Sequence, residues 1–128
     1  MTAEERLHIA CFEWWQLQYG NRGQGLLFHP ANGGSRHINK YDKNGKPVSF
    51  EATKLKRMGV TPGIPDLVLV LPYGRVCWFE LKAPKGPVRS SQIAIHDRLR
   101  ECGQQVYIVK SFDAFEQIVN ALYLPPNP

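Results

Sequence analysis

Three charged residues stand at the ends of two apolar segments in the stretch GIPDLVLVLPYGRVCWFELKAP, residues 63–84. Asp66 opens the first segment, and Glu80 and Lys82 close the second. The PYGR between the segments favours a turn, so residues equally distant from Tyr73 are predicted to lie opposite one another in an antiparallel hairpin. Because side chains alternate along a strand, Asp66 then faces Glu80, and Lys82 shares the face of Glu80.

This arrangement predicts a site for a divalent cation. Two carboxylates about 5 Å apart repel each other by about 3 kcal/mol at an effective dielectric constant of about 20, against a total stability of about 5 to 15 kcal/mol. Mg²⁺ or Mn²⁺ would remove the repulsion, because both ions prefer clustered oxygen ligands. Lys82 could then hold an attacking water and offset charge on a phosphate. The alternative is that Asp66 ends a strand and Glu80 forms an exposed ion pair with Lys82.

A glutamine on a predicted helix points to the same place. The segment SSQIAIHDRLREC, residues 90–102, predicts a helix whose core-facing stripe is Ile95, Leu99 and Cys102, with Gln92 in that stripe at the first turn. A buried amide needs hydrogen-bond partners. Gln92 is therefore expected either to bond backbone at the sheet edge or to orient a metal-bound water or a phosphate, and the sequence favours neither.

The net charge of +5 is concentrated in one segment. Residues 36–57 contain seven basic and two acidic residues, and the rest of the chain is neutral overall. Several cations on one surface suit a DNA backbone through counterion release. A solvated lysine-rich loop is the alternative. The residues of this segment predicted to contact DNA are Arg36, Lys40, Lys54, Lys56 and Arg57.

The first predicted helix carries an acid toward the core. Over residues 3–19, a spacing of about 100° per residue places Glu4 in the same stripe as Cys11 and Trp15. The apolar members of the stripe must face the core, so Glu4 turns inward while Glu5 stays outside.

The rest of the chain predicts short strands alternating with helices. The predicted elements are a strand at 26–29, a hairpin around KNGK, a helix at 49–58, the central hairpin, a helix at 90–102, a strand at 105–110 and a helix at 111–123. No repeat or second boundary is visible. Residues 1–124 are therefore predicted to form one domain, followed by a disordered tail at 125–128.

Cysteine usage and hydropathy indicate the compartment. Cys11, Cys77 and Cys102 are odd in number and widely spaced, which predicts buried free thiols, with a structural zinc site as the alternative. No apolar segment approaches the ~20 residues of a membrane span, and Glu4 and Glu5 do not suit a signal peptide. We therefore expect a cytoplasmic protein.

Five motifs follow one another in a recognisable order. They are Glu4 in the first helix, Asn-Gly-Gly at 32–34, Gly-Ile-Pro-Asp at 63–66, Glu-Leu-Lys at 80–82 and Arg-Ser-Ser-Gln at 89–92. This order resembles the VRR-NUC branch of the PD-(D/E)XK nuclease superfamily, specifically its small stand-alone bacteriophage members, over nearly the whole chain. The last motif departs from the family, which has Ser where this chain has Arg89. Ser90 or Ser91 is therefore predicted to cap the helix.

The resemblance implies a fold and a set of site residues. The implied fold is α/β, with an αβββαβα core and a mixed central sheet flanked by helices. His8 stands where relatives often carry Gln, and as a lone His on a core-facing stripe it is expected to be structural. The implied site residues are Asp66, Glu80, Lys82 and Gln92 for catalysis, and Glu4, Asp66, Glu80 and the backbone carbonyl of Leu81 for the Mg²⁺ or Mn²⁺ ion.

We therefore expect a metal-dependent endonuclease that hydrolyses phosphodiester bonds in DNA, with a preference for branched substrates of the Holliday-junction or flap type. A four-way junction needs two cuts and one small domain has one site, so a homodimer is expected. Trp14, Trp78 and Ile93 are candidates for its interface. The alternatives are a restriction or repair nuclease acting on linear duplex DNA, and a DNA-binding module without catalysis. A phage-encoded protein would work in the host-cell cytoplasm.

Overall fold

The computed structural model describes residues 1–30 and 40–125. The helices are α1 (Ala3–Gln18), α2 (Phe50–Arg57), α3 (Ser90–Glu101) and α4 (Phe112–Tyr123). The strands are β1 (Leu26–Phe28), β2 (Lys40–Tyr41), β3 (Pro47–Val48), β4 (Leu67–Val70), β5 (Val76–Leu81) and β6 (Gln105–Val109). The tail predicted to be disordered lies outside the described residues from 126 onward.

A four-stranded sheet in the order β1-β4-β5-β6 forms the centre of the molecule. The pairs β1–β4 and β4–β5 are antiparallel, whereas β5 and β6 are parallel and joined through α3. The order α1, β1, β4, β5, α3, β6, α4 confirms the predicted αβββαβα core with a mixed sheet flanked by helices. The hairpin of β2 and β3 with α2 is an insertion between β1 and β4.

The central hairpin has the predicted register. Leu67 pairs with Phe79 and Val68 with Trp78, so paired residues are equally distant from Tyr73. Tyr73 lies in the short 3₁₀ turn that joins the strands, with a φ of 67°. The two strands therefore bring the residues before Leu67 and after Phe79 to one end of the sheet.

One face of the sheet packs against α1 and α4. Leu69 and Phe79 from the sheet meet Trp15 of α1 and Phe115 of α4 in one buried cluster. The indole nitrogen of Trp15 also donates a hydrogen bond of 3.1 Å to the hydroxyl of Tyr123, which joins the two helices. Alternation along the strands then turns the neighbouring side chains to the opposite face.

α1 begins with a reciprocal cap. The Thr2 hydroxyl accepts the Glu5 N–H at 3.0 Å, and the Glu5 carboxylate accepts the Thr2 N–H at 3.1 Å. The cap uses Glu5 on the exposed side, while Glu4 is half-buried, as predicted.

α3 differs from the prediction in its buried face and in its cap. Ile95 and Leu99 are half-buried and Cys102 is exposed, whereas His96 is 1% exposed. The reason is that α3 covers the part of the sheet that carries Glu80. Because a buried carboxyl needs hydrogen-bond partners, His96 and not an apolar residue is buried there. Neither serine caps the helix.

The cap position of α3 is Arg89, whose backbone N–H donates a 2.9 Å hydrogen bond to the Gln92 side chain. The side chain of Gln92, at the third helical position, therefore accepts the N–H of the cap residue itself, whereas a cap serine would accept an N–H from the second or third helical residue.

Cysteine burial agrees with the prediction at two of three positions. Cys11 and Cys77 are buried free thiols, and Cys102 is free but exposed, because it lies at the solvent end of α3. No helix within residues 1–30 and 40–125 is long and apolar enough to cross a membrane.

Candidate functional site

Asp66 and Glu80 lie side by side at one end of the central hairpin. The register that pairs Leu67 with Phe79 continues by one residue to these two acids. The Asp66 carboxylate accepts the Leu81 N–H at 2.7 Å, so the loop before β4 is tied to the end of β5. Glu80 is fully buried and Asp66 half-buried. The structure therefore brings together the two acids that the sequence predicted to meet.

Both oxygens of Glu80 have partners on α3. The ring nitrogen Nε2 of His96 lies 3.1 Å from Oε1, and the amide nitrogen Nε2 of Gln92 lies 3.3 Å from Oε2. Gln92 thus uses its oxygen to accept a backbone N–H at the start of α3 and its nitrogen to contact Glu80. Its expected role in orienting a metal-bound water or a phosphate stays a prediction. Since Gln92 and His96 are four residues apart, they lie on one face of the helix.

Burial favours the neutral forms of both Glu80 and His96. Burial first, and then the hydrogen bond and charge of Asp66, raise the pKa of Glu80 from 4.5 to about 9. Burial, followed by the charges of Arg100 and Lys82, lowers the pKa of His96. The 3.1 Å distance between Nε2 of His96 and Oε1 of Glu80 would suit an ion pair, but both pKa shifts favour a hydrogen bond between uncharged groups. Protonation of Glu80 relieves the repulsion between the two acids that the sequence predicted.

Lys82 is buried beside Glu80. It follows β5 directly, its N–H donates to the Val109 carbonyl at 2.9 Å, and its side chain is 4% exposed. Its charge lowers the pKa of Glu80, in opposition to Asp66. The predicted exposed Glu80–Lys82 ion pair is therefore wrong, because both side chains are buried.

An open cavity of about 630 Å³ adjoins these residues and is lined by Glu4, His8, His29, Asp66 and Arg89, among others. Glu4 reaches it from the first turn of α1, and its charge also raises the pKa of Glu80. Tertiary structure thus adds the predicted helix acid to the hairpin pair.

Three histidines near the acids were missed or undervalued at the sequence level. His29, directly after β1, has Nδ1 2.6 Å from the carbonyl oxygen of Asp66, to which it donates. The His8 ring meets the His29 ring edge to face, with centroids 4.7 Å apart. Burial first, and then His29, lower the pKa of His8. His8 thus lines the cavity rather than filling the core. His96 was missed altogether, although its spacing of four from Gln92 was a usable signal.

The predicted DNA contacts lie elsewhere on the surface. Lys40 is on β2, and Lys54, Lys56 and Arg57 are on α2, all with exposed side chains. None of these four lines the 630 Å³ cavity. Arg36 and the Asn-Gly-Gly motif at 32–34 lie outside the described residues.

The donor set at the acids fits a hard divalent cation. Mg²⁺ commonly uses one or two carboxylates and retains several waters, and Asp66, Glu80 and the Leu81 carbonyl can supply such a set, with Glu4 across the cavity. Within the described part of the chain, no cluster of three or more His, Cys, Asp or Glu side chains could hold a metal by itself. The residues therefore suit a hydrated ion and not a closed, all-protein site.

Comparisons with known proteins converge on one domain family. The VRR-NUC domain matches residues 2–113. A solved structure described as a VRR_NUC domain is similar to this chain, with a TM-score of 0.61 and 22% identity over 96% of this chain and 100% of that one. Another, described as a VRR_NUC domain protein, has a TM-score of 0.61 and 19% identity over 96% of this chain and 89% of that one. A search of curated protein sequences finds no match.

Proposed function

Because the chain belongs to the VRR-NUC domain family, whose members are nuclease-type domains that process DNA, we propose that it is a metal-dependent endonuclease that cuts branched DNA. The observation that carries the catalytic part is the convergence of Asp66, Glu80 and Lys82. Three ionisable groups, two of them buried, meet at one end of the sheet beside an open cavity. Such a cluster is unfavourable for stability alone and is typical of active sites.

Each residue has a distinct task in this proposal. Asp66, Glu80 and the Leu81 carbonyl would hold Mg²⁺ or Mn²⁺, with Glu4 completing or extending the site. The ion, when bound, supplies Lewis acidity at the phosphate and a more acidic water. Lys82 holds the attacking oxygen and offsets the negative charge that grows on the phosphate. The remaining catalytic candidate is Gln92, whose amide keeps one oxygen of Glu80 in place.

The basic residues of β2 and α2 would bind the DNA backbone. Lys40, Lys54, Lys56 and Arg57 are exposed and have no acidic partner within 4 Å in the described residues. Phosphate contacts from such residues position a duplex and carry no sequence information. They suit an enzyme that reads DNA shape.

Branched DNA and a homodimer are the finer parts of the proposal. One site per chain cuts one strand, and paired cuts across a four-way junction need two copies. Ile93 and Trp78 remain candidates for the interface, since Ile93 is 48% exposed and Trp78 lines an apolar surface groove with Phe28 and Met58. Trp14 is less suited, because its ring is packed within the protein against the rings of Tyr19, Phe112 and Phe115.

Two alternative functions are distinguished by the experiment described next. They are a restriction or repair nuclease that acts on linear duplex DNA, and a DNA-binding module without catalytic activity. We propose that the enzyme acts in the cytoplasm, which is the host-cell cytoplasm for a phage-encoded enzyme.

The test compares labelled four-way junction, flap and linear duplex DNA in Mg²⁺ and in Mn²⁺. We expect cleavage of branched substrates, loss of cleavage in Asp66→Asn and Lys82→Ala, and full activity in the exposed control Asp97→Asn. Cleavage of linear duplex alone would favour the restriction-type alternative. Binding without any cleavage, or full activity in Lys82→Ala, would overturn the catalytic assignment. Solution mass measured by light scattering tests the dimer.

A further inference from the structure

A second cavity, of about 390 Å³, lies in the groove between α1 and β1. It shares His8 and His29 with the cavity that contains Asp66, so the two are neighbours along one surface. Its volume is within the range of about 300 to 1,000 Å³ that is typical of small-ligand sites. The sequence analysis assigned no role to this groove.

The lining of this second cavity suits a flat, apolar ligand. Its lining includes Phe12, Ile9 and Leu27, with His29 at the boundary with the first cavity. Phe28 lies at the rim, because its pairing with Val68 turns its side chain to the opposite face of the sheet. Its one carboxylate, that of Glu13, can accept a hydrogen bond from an amino group. Among the described lining residues there is no Lys or Arg. A phosphate would therefore meet a negative charge and no cation, whereas an aromatic ring would stack.

His29 fixes the position of this groove relative to the acids. Its Nδ1 donates to the Asp66 carbonyl oxygen at 2.6 Å, which holds the imidazole beside the proposed metal ligand. The His8 ring supports it edge to face at 4.7 Å. A ligand in the groove would thus contact the same His29 ring that contacts the Asp66 backbone.

We propose that this groove, here called the base pocket, receives one unpaired nucleobase of the DNA next to the phosphate that is cut. This inference rests on the proposed nuclease function and deepens it. Extracting a paired base requires several kcal/mol of unstacking and unpairing, and the requirement is smallest for a base that is already unpaired. The base pocket therefore selects DNA with an unpaired nucleotide at the cut, as at a flap or at the centre of a branch.

A double-mutant cycle between protein and DNA tests the base pocket. Flap DNA is prepared with an abasic nucleotide at each position around the cut, and binding is measured by fluorescence anisotropy in EDTA. Phe12→Ala removes an aromatic ring of the lining, and Ile9→Ala removes a wall that is 42% exposed. Leu17→Ala, also on α1 and 68% exposed, is the matched control outside the pocket.

For wild type, one abasic position is expected to weaken binding by roughly 5- to 150-fold, the equivalent of one base stacked on an aromatic ring. Phe12→Ala and Ile9→Ala should weaken binding of intact flap DNA and lose most of that sensitivity to the abasic nucleotide, because the protein change and the DNA change remove the same contact. Fully paired duplex should bind all proteins within about twofold, and Leu17→Ala should behave as wild type.

Additive effects of the abasic nucleotide and the pocket substitutions, or no sensitive abasic position, would overturn the base pocket while leaving the nuclease proposal intact. Absence of both DNA binding and cleavage in wild type would overturn the proposed function itself. Thermal unfolding of each variant accompanies the titrations. If Phe12→Ala is unfolded, Ile9→Ala decides the outcome, because Ile9 is 42% exposed and lies outside the buried core cluster.

Discussion

Replacing Gly63 by alanine tests how the site is assembled. Gly63 lies in the loop that leads to Asp66, is buried, and has a φ of 88°. A Cβ at this position would lie 2.4 Å from the carbonyl oxygen and 2.8 Å from the carbonyl carbon of Ser91. These are backbone atoms in the first turn of α3, which cannot rotate away. The loop that carries Asp66 must therefore move away from α3, whose side chains contact Glu80.

Gly59→Ala is the matched control. Its φ is 102°, so alanine is strained there too, but a Cβ would meet nothing within 4 Å. We expect Gly59→Ala to lower the free energy of unfolding by about 1 to 2 kcal/mol, the usual penalty of a left-handed non-glycine residue. Gly63→Ala adds an overpacking penalty of about 1 to 3 kcal/mol, because the contact must open by about 1 Å to reach an ordinary distance.

The two variants are compared by thermal unfolding and by cleavage of junction DNA at saturating metal. At roughly 4 °C per kcal/mol for a domain of this size, Gly63→Ala should melt several degrees below Gly59→Ala. A displacement of about 1 Å between catalytic groups can also lower the rate by about 100-fold. Equal melting temperatures of the two variants, or cleavage by Gly63→Ala as fast as by its control, would show that the close approach of Gly63 to Ser91 does not hold the site together.

Three further predictions concern the acids and the basic helix. His96→Phe removes the ring nitrogen that contacts Glu80, so Mn²⁺ affinity by calorimetry should fall by about 10- to 100-fold, and an unchanged affinity would contradict a positioning role. In EDTA, the folded protein keeps a proton on Glu80 that the unfolded protein releases, because the pKa of Glu80 is about 9 in the folded state and 4.5 otherwise. The free energy of unfolding, measured in urea, should therefore fall as pH rises from 4.5 to about 9, by at most about 1.4 kcal/mol per pH unit. Glu80→Gln should abolish this dependence on pH. A slope unchanged by Glu80→Gln would place the titration elsewhere. Because Lys54 is proposed to contact a phosphate, Lys54→Ala should reduce the magnitude of the slope of log affinity for DNA against log salt concentration by about 0.9. The control Arg22→Ala, in the turn after α1, should leave that slope unchanged.

The sequence alone determined the parts that depend on local periodicity. Alternation along the strands and the turn at Tyr73 were enough to place Asp66 opposite Glu80, and the observed register agrees. The helical repeat was enough to turn Glu4 inward and Glu5 outward. These inferences succeed because a repeat of two or of about 3.6 residues fixes relative side-chain direction within one element or one hairpin.

Contacts between distant elements were decided only by tertiary structure. α3 was predicted to bury Ile95, Leu99 and Cys102, but it buries His96, because what it covers is the Glu80 carboxyl and not an apolar surface. His29 reaches the Asp66 carbonyl because β1 pairs with β4, a pairing that no local pattern reveals.

The protonation state of Glu80 was also decided by the tertiary structure. The sequence placed two acids close together, and their charges predicted a repulsion that a divalent cation would relieve. Folding buries Glu80 completely, which raises its pKa to about 9 and favours the protonated form, in which the repulsion is relieved. Desolvation depends on everything that surrounds a group, and those neighbours come from α1, β4 and α3. Sequence periodicity therefore determined which residues meet, and tertiary packing determined their charge.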